Sequence, residues 1–129
     1  MTLDQYLRDC ETKEFSWPSW NCWHFVAGWA TTKIGRDPLA GSVSRETPFL
    51  WHLWVARMGG IGACVSRQLP EYEKFPALSA VVGDIVLLPG DTTPWILGIS
   101  NGRLSAALHS TAGIAFTNAT PLATWKIKK

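Results

Sequence analysis

The stretch Trp20-Asn21-Cys22-Trp23-His24-Phe25-Val26 follows Trp17-Pro18-Ser19 and opens a helix. Proline blocks helix until the chain has passed it, and Cys22, Phe25, Val26, Trp29 and Ala30 then recur at i, i+3, i+4, i+7 and i+8. That spacing predicts an amphipathic helix from about Cys22 to Ile34, stopped by Gly35. A cysteine in the first turn meets unpaired amide N–H groups and the positive end of the helix dipole, which stabilise a thiolate. The same cysteine lies on the apolar stripe, where a thiol is a small core residue. Two readings of Cys22 follow, a reactive nucleophile and an inert packing group.

Bulk properties narrow the field. The chain has 129 residues, of which 17% are charged and 47% hydrophobic. That length holds one domain, residues 1–129, with a helical part over about 1–70 and a sheet part over about 78–129. A formal charge of +2, with no basic run beyond Lys126-Ile127-Lys128-Lys129, argues against nucleic acid as a partner. No stretch approaches the length of a membrane span, and the first residues carry no secretory pattern, so folding in a cytosol is expected. The three cysteines, Cys10, Cys22 and Cys64, have no metal-type spacing. Neither a disulfide framework, a metal site nor a cofactor is expected. Eight tryptophans are many for this length, and tryptophan serves interfaces as well as cores.

Along the chain, Thr2 and Gln5 form a capping box for a first helix, with Leu3, Tyr6 and Leu7 as its stripe. Gly28 allows another group close approach to the second helix. Thr47-Pro48 starts a third helix with Leu50, Leu53, Trp54 and Met58 as the expected buried face. Ile61 to Leu69 reads as a short helix, and Pro70 to Pro76 as a polar surface connection. From Val81 the period changes. Val81 to Leu88 reads as a strand reached through Gly83-Asp84, where Asp84 turns the chain. Trp95–Ser100 and Arg103–Ser110 flank Asn101-Gly102, the pair that a two-residue type I′ hairpin requires. That loop would pair Ser100 with Arg103, Gly98 with Ser105 and Ile96 with Ala107. Ile114–Thr117 and Trp125–Ile127 add short strands. Helices first, then an antiparallel sheet, make an α+β fold.

Asn21-Cys22, Gly83-Asp84-Ile85-Val86, Ile96-Leu97-Gly98-Ile99, Asn101-Gly102 and Leu108-His109-Ser110, in this order, resemble the NlpC-type cell-wall peptidases, small papain-like cysteine hydrolases. Gly35-Arg36-Asp37-Pro38 and Ala123-Thr124-Trp125 add a similarity to an uncharacterised domain family of tailed phages and prophages, found among tail genes. The resemblance implies a papain-like fold, with Cys22 at the nucleophile position and His109 at that of the residue orienting the base. The position of the base itself falls on Ile96, which cannot accept a proton. The usual Asp before the cysteine is Asn21.

No other histidine obviously replaces the base. His24 lies roughly 200° around the helix from Cys22, and His52 falls off the expected buried stripe of the third helix. Strand alternation sets His109 on the face of Ile96 and Gly98, which in the resembled family covers the cysteine. His109 is then either a lone base in a dyad with Cys22 or a histidine tied to its own backbone. Trp17, Trp20 and Trp23 gather at the cysteine turn as a wall, a protein anchor or a substrate platform.

Two functions follow from the resemblance. One is a tail tip or baseplate component with a degenerate peptidase-like fold, made in a bacterial host cytoplasm, carried in the virion tail and bound to other tail proteins. The other is a hydrolase of peptidoglycan stem-peptide amides acting through Cys22 and His109.

Overall fold

The computed structural model describes residues 1–76, 80–91 and 93–128. Among the described residues four helices precede all the strands of a six-stranded sheet: α1 Leu3–Cys10, α2 Cys22–Ile34, α3 Pro48–Arg57, α4 Ile61–Gln68, then β1 Tyr72–Phe75, β2 Ile85–Pro89, β3 Trp95–Ser100, β4 Ser105–Leu108, β5 Ile114–Thr117 and β6 Ala123–Ile127. The strands lie in the order β1-β6-β2-β3-β4-β5, and every neighbouring pair is antiparallel. The fold is α+β, as the change of period at Val81 predicts.

The helix starts form by the expected chemistry. Thr2 and Gln5 exchange backbone-to-side-chain hydrogen bonds in a capping box. Thr47 Oγ1 accepts from the Leu50 N–H, with Pro48 at the first helical position. Gly35 closes α2 at φ +76°, the left-handed conformation that glycine adopts without strain. Close approach at Gly28 is real: a Cβ there would sit 2.3 Å from the Tyr6 hydroxyl, which donates to the Phe25 carbonyl. Two buried indoles tie the helical part to the sheet part of the chain, one at the turn before β2 and one on β6. Trp29 Nε1 donates to the Gly83 carbonyl at 2.9 Å, and Trp125 Nε1 to Ser66 Oγ at 3.2 Å. Asp84 turns the chain into β2 by accepting the Val81 N–H, and its carboxylate also pairs with Lys126 on β6.

Four expectations need correction. Pro70 to Pro76 is not merely a connection: Tyr72–Phe75 is an edge strand paired with β6, Tyr72 opposite Ile127. Its buried Tyr72 docks the strand, while Glu73 and Lys74 keep the edge polar. The buried residues of α3 are Trp51 and Val55, whereas Leu50 is exposed. Trp51 wins the inward position because its Nε1 donates to both the Trp17 and Arg45 carbonyls at 2.8 Å, so the whole indole can be buried.

The third correction is the β3–β4 register. Ser100 faces Ser105 and Ile99 faces Ala106, two residues further along β4 than a two-residue loop allows. Asn101 spans a wider loop, its Oδ1 accepting from the Arg103 and Leu104 N–H groups. Among the described residues only glycines have positive φ, Gly102 among them at +97°. Asn101 therefore does not adopt the left-handed conformation that type I′ demands at both central residues. A slip of two preserves which face each side chain takes.

The two faces of the sheet are unequal. Ile85, Leu87, Leu97, Ile99, Ala106 and Trp125 belong to the main core with α2. Val86, Leu88 and Ala107, with Ile96 packed on them, form a small cluster of their own. The face that covers the cysteine helix is therefore that of Leu97, and not that of Ile96.

Candidate functional site

The site begins with Asn21, the N-cap of α2, which is 0% exposed. Its Oδ1 accepts the Trp23 N–H at 2.9 Å, while its Nδ2 donates to the Trp17 carbonyl at 2.7 Å. An aspartate could make only the first of these bonds, because the second needs a donor. That is the physical reason for an amide at this position. His24 completes the cap: its Nδ1 accepts the Asn21 N–H at 3.1 Å. The ring thus stands in for the Glu or Gln of an ordinary capping box. Burial lowers the His24 pKa from its ordinary value.

Cys22 is half-buried directly after this cap. Burial pushes its thiol up to about 11, opposed by backbone N–H groups of Leu97, Cys22 and Trp23 that favour the thiolate. Desolvation wins. The Leu97 contact has a simple origin in the sheet. Continued beyond Ile99–Ala106, the β3–β4 ladder would bring Leu97 opposite Leu108, but it ends first and the Leu97 amide lies against the thiol instead. Cys10 and Cys64 are fully buried, with thiols pushed up by desolvation, as packing residues should be.

A cleft of about 580 Å³ opens over Cys22. It brings together Cys22, His52, His109 and Asp91 among aromatic side chains that include Trp17 and Trp95. His109 lies just past β4 and is exposed. Its Nδ1 contacts Thr111 Oγ1 at 3.1 Å and accepts the Thr111 N–H at 3.3 Å. A neutral ring that accepts at Nδ1 carries its proton on Nε2, so no lone pair is left there to take one from a thiol.

His52 reaches the cleft from α3, edge-on to the Trp95 ring with centroids 5.6 Å apart. A stripe of Leu50, Leu53, Trp54 and Met58 leaves His52 off the buried face, whereas the observed stripe of Trp51 and Val55 brings it to the cleft margin. Asp91 follows Pro89-Gly90 in an irregular loop and carries no periodic signal at all. Trp17 and Trp23 do line the cleft, whereas Trp20 packs edge-on against Phe25 beneath Lys13. Among the described residues no group of three or more His, Cys, Asp or Glu could hold a metal ion. Nor is any described helix long and apolar enough to cross a membrane.

The chain belongs to the DUF6950 family, a domain of unknown function. The match covers residues 1–127, so α1 and the last strand are both part of the shared pattern. No curated protein matches the chain. The DUF6950 description carries no activity, and the chemistry of the cleft has to supply the functional argument.

Proposed function

We propose that this chain is a structural component of a phage or prophage tail tip or baseplate, built on a papain-like, NlpC-type fold whose catalytic step has lapsed. The observation that carries the lapse is the setting of Cys22. Its sulfur is met by backbone N–H groups and by desolvation, which holds the thiol protonated, and no imidazole is hydrogen-bonded to it among the described residues. A cysteine nucleophile needs a base within hydrogen-bond reach, and the base position of the resembled peptidases is Ile96, which lines the cleft but cannot accept a proton. The tail assignment is supported by the sequence resemblance to tail-associated domains, and its partners are then neighbouring tail proteins. Mass spectrometry of purified virions tests it: the polypeptide should be present at stoichiometric levels, and its absence from virions removes the reading.

One observation favours a second reading. Cys22 and His109 line the same cleft, as a hydrolase of peptidoglycan stem-peptide amides would require. There the Cys22 sulfur would attack the amide carbon, and His109, its Nδ1 released from Thr111, would take the thiol proton and return it to the leaving amine. Backbone N–H groups at Cys22 and Leu97 would hold the oxyanion. Peptidoglycan digestion by the native chain and by Cys22→Ala decides it, because equal release of fragments eliminates the nucleophile.

A further inference from the structure

We propose that the cleft over Cys22 binds an organic cation, an ammonium group seated against Trp17 and Trp95 with Asp91 as its counter-charge. The volume of about 580 Å³ suits a small ligand or a single protruding side chain. Its charge is one-sided. Among the lining residues there is no Lys or Arg, and Asp91 has no ion-pair partner among the described residues. An anionic ligand would therefore meet the Asp91 carboxylate with no Lys or Arg to offset it, only the imidazoles of His52 and His109.

The rest of the molecule shows what its tryptophans do with their faces. Lys13 lies 4.1 Å from the Trp20 ring and Lys33 lies 4.5 Å from that of Trp29. Arg45 is shared by Trp51 and Trp54 at 5.0 and 4.0 Å. Trp17 and Trp95 are half-buried in the cleft wall, and among the described residues neither carries a cation of the chain. An aromatic face attracts a cation through the ring quadrupole, most strongly where water is partly excluded. Phe15 meets the Trp17 ring with centroids 5.1 Å apart and His52 meets that of Trp95 at 5.6 Å, so each indole has a ring neighbour but no ammonium or guanidinium, and with Asp91 lining the same cleft the component still lacking is positive.

The cation has two chemical sources, a lysine side chain of another polypeptide and a quaternary ammonium headgroup. The inference needs neither catalysis nor virion assembly, so it can fail while both readings above survive. The test is a titration of the full ¹⁵N-labelled chain, following the indole N–H resonances, with choline, with Nα-acetyl-lysine amide, with N-acetylglucosamine and with acetate. A saturable shift is expected with at least one cation, and which cation binds more tightly identifies the source. Asp91→Asn, an exposed position whose fold is checked by the same spectrum, should weaken binding by about tenfold. The proposal is overturned if neither cation gives a saturable shift, if the sugar or acetate binds as well, or if Asp91→Asn binds the cation like the native chain.

Discussion

The two walls of the cleft use their polar groups in opposite ways. On the cysteine wall, Asn21 satisfies both ends of its amide, His24 closes the cap, and backbone N–H groups surround the thiol. On the other wall, His52 meets the Trp95 ring, Asp91 has no ion-pair partner among the described residues, and His109 is tied to Thr111 two residues away. The difference teaches that the helix start is finished as a joint of the fold, whereas the other wall is left with bonding capacity unspent. Active sites keep unspent capacity beside the nucleophile. Here it lies across the cleft from it.

The strongest way to break this comparison is at Asn21. Asn21→Ala removes the cap and leaves the buried Trp23 N–H without its acceptor, which should cost about 2–3 kcal/mol. Urea unfolding followed by tryptophan fluorescence measures it. A loss below 0.5 kcal/mol, roughly the scatter of neutral surface changes, would mean that the cap is not what holds the helix start.

The thiol supplies the next largest effect. With its pKa near 11 and not the ordinary 9.0, Cys22 at pH 8 has a thiolate fraction about 100-fold lower than an unburied thiol. The greater intrinsic nucleophilicity of a more basic thiolate offsets part of that, leaving alkylation about tenfold slower. Iodoacetamide labelling of Cys22, followed by peptide mass spectrometry, should still be accelerating at pH 10. A plateau near pH 7 would reveal a poised thiolate and favour the hydrolase.

A pair of indoles sharpens the point. Trp23 and Trp51 stack with centroids 6.5 Å apart and are each 4% exposed, but Trp51 Nε1 donates to two carbonyls whereas Trp23 Nε1 has no partner among the described residues. Changing either to phenylalanine removes the same volume. Only Trp51→Phe also removes hydrogen bonds from a buried carbonyl, so it should cost about 1–2 kcal/mol more than Trp23→Phe. Equal losses in chemical denaturation would show that packing alone holds this cluster.

What the sequence disclosed follows the range of the forces involved. Caps are written within four residues, so Thr2–Gln5, Thr47-Pro48 and Gly35 were legible and α2 has its expected bounds, Cys22–Ile34. Strand periodicity was also legible, and β3 and β5 appear where the alternation puts them. Register was not, because the Asn101 side chain chose an Asx-type loop over the type I′ turn that its neighbour Gly102 suggested. The face assignment of β3 failed for a related reason. Residues 97 to 100 are buried on both sides, so alternation carries no polarity to tell Leu97's side from Ile96's. The cleft was half legible. Cys22 and His109 do share it, but His52 depends on which stripe of α3 turns inward, and that was decided by carbonyls outside the helix, those of Arg45 just before it and of the sequence-distant Trp17.

The smallest effect is the pH response of the cap. Burial lowers the His24 pKa in the folded chain below its ordinary 6.5, so between those two values the unfolded chain binds the extra proton. Stability then rises with pH across that window: it is fully present above 6.5 and falls away as the medium is acidified. The bonding agrees with the sign, because a protonated ring no longer has the Nδ1 lone pair that accepts the Asn21 N–H. His24→Gln keeps an acceptor at the third helical position without a titrating group, as in an ordinary capping box. Urea midpoints measured from pH 7.5 down to 5 should decline less steeply for His24→Gln than for the native chain. Parallel declines would mean that the ring leaves the cap, or turns its other nitrogen to it, before it takes up a proton.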